Sequence, residues 1–184
     1  MTLPTKSELD AIDMRPVVSK FKNVDEVKFL SMSAGQEHYR LLRWISENYK
    51  NSVIAEVGTY MALSTVCLAW EKTNAVISYD VTYDYLKWKE RPDNVACILM
   101  PPDQNGFPKS IINAGIIFID TNHYGVMEKN VFDYLIANEW KGVLIYDDIY
   151  LNDEMTAAWD YISVEKIDAT SIGHVYGTGI IEIK

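Results

Sequence analysis

Two short apolar runs end in aspartate: Ile116-Ile117-Phe118-Ile119-Asp120 and Gly142-Val143-Leu144-Ile145-Tyr146-Asp147-Asp148. Such runs, without polar alternation, are the pattern of strands covered on both faces, as in parallel sheets packed between helices. Their terminal aspartates then stand at the sheet's carboxyl edge, where open parallel sheets bind ligands. Three acidic groups meeting there repel one another unless a cation neutralises them or a proton is taken up. An oxygen-ligated metal ion at Asp120, Asp147 and Asp148 is therefore expected, and with it an enzyme. The competing explanation for the pair is that Asp147 or Asp148 caps the helix that follows.

The remaining chain continues the alternation of strand and helix. His38, Leu41, Leu42, Ile45 and Tyr49 share one helical face, in a helix beginning near Gln36. Residues 53–57 read as a strand, 63–70 as a helix, 75–79 as a strand ending at Asp80, and 95–99 as a strand closed by Pro101-Pro102. A strand over 115–119 precedes a helix carrying Met127, Val131, Tyr134 and Leu135. Another over 143–146 precedes a helix carrying Met155, Ala158, Trp159 and Ile162. The end differs: strands over 164–168 and 179–183 are joined without a helix around Gly173 and Gly177. The alternation implies right-handed crossovers, with helices on both faces of a mostly parallel sheet. The helix-free return implies one antiparallel strand at the edge. Pro4 and Pro16 break up the first residues. Residues 1–32, helical around Asp25 to Leu30, are therefore an N-terminal appendage to a single domain over 1–184.

A formal net charge of -9 argues against a nucleic-acid partner, since phosphate binding needs a basic face. Twelve tyrosines and five tryptophans suit a pocket for flat or sugar-like ligands, or else core and rim packing. No stretch approaches the ~20 apolar residues of a membrane span, and MTLPTKSELD is not a signal peptide. Cys67 and Cys97 both fall in apolar segments and read as buried, reduced and inert. A cytoplasmic location is the corresponding expectation.

The segment Ile54-Ala55-Glu56-Val57-Gly58-Thr59-Tyr60-Met61-Ala62-Leu63-Ser64 is a strand, a tight turn and a helix start. Gly58 allows close backbone approach to a ligand, or serves the turn alone. Ser64 can cap the helix or donate to a carboxylate. The pattern E-x-G-x-x-x-A is not the G-x-G-x-x-G of a dinucleotide turn. Asp80, ending the next strand, is placed to accept from ribose hydroxyls. Asp84 and Asp103 are alternative ligand contacts or solvated loop charges.

On these residues the chain resembles the class I S-adenosylmethionine-dependent methyltransferases, and among them the metal-dependent, catechol-O-methyltransferase-like group. The resemblance runs from about Ser33 to the C-terminus. It rests on Ser33-Ala34-Gly35-Gln36, on Glu56 to Ser64 as an E-x-G-x-x-x-G-x-S turn with Ala62 for the last Gly, on Asp80, on Asp120 and on the Asp147-Asp148 pair. It implies an α/β Rossmann-like three-layer sandwich with a mostly parallel seven-stranded sheet. S-adenosyl-L-methionine would be held by Gln36, Glu56, Gly58, Thr59, Tyr60, Ser64 and Asp80. Mg2+, with Mn2+ or Ca2+ as alternatives, would sit on Asp120, Asp147 and Asp148. His123, in Asn122-His123-Tyr124, would be the base; loop packing is its other reading, and Asn122 is the rival for substrate contact. The Gly-His-x-x-Gly-Thr-Gly run after Ile172 is similar to small methyltransferases that decorate glycans and natural products. The function implied is metal-dependent O-methylation of a sugar, glycan or other small vicinal diol. The alternative is a non-catalytic, cofactor-binding regulator of the same fold; the turn disfavours an NAD-dependent oxidoreductase. His38 reads as packed rather than catalytic, and His174 as a turn residue or an acceptor contact. Trp88 and Tyr83 to Tyr85 read as surface packing, or as a border to the adenine. Oligomeric state stays open.

Overall fold

The computed structural model describes residues 2–23, 25–100 and 106–184. Pro101-Pro102 and Asp103 lie outside the described residues. The chain begins with α1 (Lys6–Asp10) and α2 (Arg15–Val18), followed by a 3-10 segment over Asp25–Ser31 and by α3 (Tyr39–Asn48). Strand and helix then alternate through β1 (Val53–Val57), α4 (Leu63–Leu68), β2 (Ala75–Asp80), β3 (Val95–Leu99) and β4 (Ile116–Ile119). They continue through α5 (Val126–Ala137), β5 (Gly142–Asp147), α6 (Asp153–Tyr161), β6 (Lys166–Asp168) and β7 (Thr178–Ile183).

All seven strands form one sheet in the order β3-β2-β1-β4-β5-β7-β6. The ladders from β3 to β5 are parallel, and β7 runs antiparallel to both β5 and β6. The antiparallel strand thus lies one place inside the edge, and three-residue β6 forms the border. The period of two sorts the central strands between two cores. Ile54, Val76, Ile116, Phe118, Val143 and Ile145 face α3, α4 and the N-terminal segment. Ala55, Val57, Ile117, Ile119, Leu144 and Tyr146 face α5 and α6.

The N-terminal residues are built into the first core rather than appended to it: Leu9, Val17, Phe21 and Leu30 are fully buried there. Arg40 fastens them, donating to the carbonyls of Met32, Leu9, Asp10 and Ile12. Cys67 is buried as expected. Cys97 is only half-buried, because β3 is a sheet edge whose outer residues lack a covering layer. No helix among the described residues is long and apolar enough to cross a membrane.

Candidate active site

Sheet register assembles the site. Ile119 pairs with Tyr146, so Asp120 and Asp147 leave adjacent strands at one level. His38 stands at the start of α3 with no side-chain cap bond, leaving its ring for Asp147; Nδ1 lies 3.0 Å from Oδ1. His174, between β6 and β7, brings Nδ1 to 2.5 Å from Asp148 Oδ1 and 3.8 Å from Asp147 Oδ1. Its Nε2 is 3.8 Å from Glu37 Oε2. His123 Nε2 sits 3.5 Å from both Asp120 Oδ1 and Asp148 Oδ2. All three histidines of the chain are therefore interleaved with the three aspartates. The loop carrying His174 is fixed to the one after β5 by bonds from Ile149 N to Gly177 O and from Tyr150 N to Tyr176 O, at 3.3 and 2.8 Å.

His123 and Asp148 both adopt positive φ, +55° and +57°. For non-glycine residues this is costly backbone, of the kind that gathers at functional sites. The helix-cap reading of the aspartate pair fails, because Asn152 caps α6 by accepting from Met155 N at 2.8 Å.

Burial and charge set the protonation of the cluster. Burial alone lowers His38, yet Asp147, Asp120 and Glu37 outweigh it and lift the imidazole to about 9. The same contest raises His174, with Asp148 as the main opponent of burial. Asp120 is pushed well above the carboxylate range by burial and by Asp147. Asp147 ends below its ordinary value, the His38 contact overcoming its burial. Two ring nitrogens, His38 Nε2 and His123 Nδ1, are buried without a hydrogen-bond partner. Closely packed carboxylates beside surplus nitrogen donors are a set that fits a divalent cation. Imidazole nitrogens stand among the three carboxylates expected to hold the ion. Among the described residues, the acidic and imidazole donors gathered within 4.8 Å of one another belong to His38, Asp147 and His174.

Beside the cluster lies a cleft of about 630 Å³ lined by Gly58, Tyr60, Asp80, Asp120, His123 and Met127, among others. Its size suits a drug-sized or nucleoside ligand. Asp80 Oδ2 accepts from Thr59 N and Tyr60 N at 2.7 and 2.8 Å, while Oδ1 accepts from Val81 N and Thr82 N at 2.6 and 3.3 Å. Four backbone donors use the acceptor capacity of the carboxylate. Asp80 thus clamps the turn, and a ribose would have to displace one of these amides.

Gly58, at φ +97°, passes so close to β4 that an added Cβ would lie 1.6 Å from the Asp120 carbonyl oxygen. The glycine serves that crossing, whatever it does for a ligand. Glu56 does not line the cleft. It is fully buried beneath the turn, where Oε2 accepts from Thr65 Oγ1 and Ser78 Oγ at 2.5 and 2.6 Å. Ser64 supports the same carboxylate, and burial raises Glu56 to about 7. Thr59 Oγ1 joins this knot through Ser78 at 2.5 Å. Gln36 is exposed and its Oε1 accepts from Ser33, so it too is away from the cleft. Tyr60 is exposed at the rim, its ring 5.4 Å from that of Tyr85. Tyr83 is tied down by donating to Ser78 O, and Trp88 bridges to Phe21.

The structure adds His38, His174 and Glu37 to the neighbourhood of the aspartates. The sequence signal for His174 was its glycine-rich loop; His38 and Glu37 carried none.

No family model matches the chain, and no curated protein matches it. Among solved structures, it is similar to the SAH-bound methyltransferase PaMTH1 of Podospora anserina, with 15% identity, 97% of this chain and 87% of that one covered, and a TM-score of 0.54. It is similar to the O-methyltransferase from Bacillus cereus in complex with SAH, with 15% identity, 100% and 94% covered, and a TM-score of 0.55. Cofactor-bound Rv0187 from MTB gives 15% identity, 99% of each chain and 0.54. The chain has the Rossmann-like α/β fold of these proteins.

Proposed function

We propose that this protein is an S-adenosylmethionine-dependent O-methyltransferase acting on a hydroxyl of a sugar, glycan or other small vicinal-diol acceptor, with a divalent cation at the cluster. The observation that carries this reading is that the nucleoside-sized cleft and the histidine–aspartate cluster share Asp120 and His123. A methyl donor in the cleft is thereby next to a group able to take a proton. The solved structures of this fold named above hold SAH or a cofactor, which supports the choice of donor.

In the mechanism, the acceptor oxygen attacks the sulfonium methyl in line; an O–C bond forms as the C–S bond breaks, leaving S-adenosylhomocysteine. The hydroxyl proton passes to His123 Nε2, the nitrogen facing Asp120 and Asp148. A divalent cation, which Asp147 and the side chains clustered around it would hold, would supply Lewis acidity to the acceptor hydroxyl. Exposed Tyr124 and Tyr176, on the loops carrying His123 and His174, offer faces on which a sugar ring stacks.

A screen for methyl transfer to nucleotide sugars, short glycans and catechols tests this. Turnover should vanish with EDTA and return with a divalent ion; full turnover of metal-stripped protein would remove the cation from the scheme. The second reading, a cofactor-binding protein without turnover, would be favoured by SAH stabilisation without transfer to any acceptor. The saturated Asp80 carboxylate gives a reason to measure SAH binding first.

A further inference from the structure

Three separate segments deliver nitrogen and oxygen donors to one buried point. His38 enters from the start of α3, Asp147 from the end of β5 and His174 from the loop between β6 and β7. His38 is 2% exposed, Asp147 is 4% exposed, and the rings of Tyr39 and Phe118 stand 4.5 and 5.3 Å from the His38 ring. Such a wall excludes water and fixes ring orientation, as the surroundings of metal sites do. Asp147 Oδ1 lies 3.0 Å from one imidazole nitrogen and 3.8 Å from another. Adjacent donors around an ion at ~2.1 Å stand about 3.0 Å apart in octahedral and about 3.4 Å apart in tetrahedral geometry, so the first pair has a spacing that suits one octahedral ion as well as a hydrogen bond. The second needs to close by less than an ångström. Three carboxylates alone would present a hard, all-oxygen set suited to Mg2+. Two imidazoles and one carboxylate instead select ions of the Mn2+-to-Zn2+ series and leave coordination positions open.

We propose that His38, Asp147 and His174 are the ligands of a divalent transition ion, and that the site discriminates against Mg2+. Asp120 then serves the cofactor cleft and His123 rather than the ion. Only the part given to the ion in turnover rests on the methyltransferase reading above; the binding itself does not.

The experiment is calorimetry on EDTA-stripped full-length protein with Mn2+, Co2+, Zn2+ and Mg2+, together with the visible spectrum of the Co2+ form. The expected result is one site per chain, with affinity rising from Mn2+ through Co2+ and Mg2+ weakest. Co2+ d–d bands characteristic of nitrogen ligation should appear. His38→Ala and His174→Ala should each weaken Co2+ binding by about tenfold or more and change the spectrum. Asp120→Asn should change affinity less than about fivefold. His174→Gln, on a loop at the periphery of the fold, guards against misfolding of the His38 variant, and circular dichroism is recorded for each. Mg2+ binding as tight as Mn2+, insensitive to both histidines and abolished by Asp120→Asn, would overturn the proposal in favour of the three carboxylates. No saturable binding by folded protein at millimolar ion would overturn it in favour of plain ion pairs. A thermal shift with SAH on the same stripped protein separates the two readings, since its failure counts against the cofactor and not against the ion site.

Discussion

Glu56 makes stability depend on pH in a direction opposite to most carboxylates. It is fully buried, and its folded value of about 7 stands above the 4.5 of the free side chain. The fold therefore binds a proton that the unfolded chain releases over that window. Below pH 4.5 both states are protonated and the stabilising contribution is complete; it is lost as pH rises through 7. At ~1.36 kcal/mol per pH unit the full loss is roughly 3 kcal/mol, an appreciable share of a domain's stability. Glu56→Gln removes the titration while keeping an oxygen for Thr65 and Ser78. Its absolute stability is not diagnostic, because the amide introduces buried N–H donors beside an oxygen, Oε1, that already lacks a partner. The change with pH is. Urea denaturation followed by tryptophan fluorescence at about pH 5 and about pH 8 should show the parent losing ~2.5 kcal/mol more than the variant over that interval. Parallel losses in the two proteins would refute the argument, and would mean that Glu56 is ionised in the fold or solvated by a path the structure lacks.

Asp80→Ala strips the acceptor from four backbone amides, so it should weaken SAH binding by ~1.5–3 kcal/mol and lower the urea midpoint as well; calorimetry with unchanged affinity would sever Asp80 from the cofactor. Gly58→Ala drives a Cβ onto the Asp120 carbonyl at positive φ and should cost ~3 kcal/mol or more, so a parental urea midpoint would contradict the crossing. His123→Asn tolerates the left-handed backbone yet removes the imidazole. It should slow methyl transfer by ~10²–10⁴-fold with SAH affinity kept, and an unchanged rate at neutral pH would place the base elsewhere. Asn122→Ala should raise the acceptor's KM more than it lowers kcat, and the reverse would make Asn122 part of the chemistry.

Local periodicity carried most of the elements. The bounds of β1 and β3 coincide with the expected 53–57 and 95–99, since a buried strand between turn residues has few other readings. The place of β7 inside β6 was not legible, because strand order depends on pairing between distant segments, which periodicity does not encode. At the site, the positions of Asp120, Asp147 and Asp148 followed from strand ends, but their partners did not. His38 lies on the buried face of an amphipathic pattern and is indistinguishable there from a packed ring. Only the register of α3 against β5 turns it toward Asp147. Asp80 was rightly placed at the end of β2; its capture by four amides depends on how the Gly58 turn curls back over it.

The position of β7 also sets when the site can exist. Five parallel strands can be assembled in the order in which they are made, but β6 pairs only with β7 and must wait for it. His174 lies on the segment between the two, so Asp148 lacks its imidazole until the last strand has slid in beside β5. Completion of the sheet and completion of the site are then a single event. A chain whose β7 is undocked, with all its aspartates in place, still holds an open pocket. A ligand that touched His174 would add its binding energy at the step where the exposed edge of β5 is otherwise most open to pairing with a stranger.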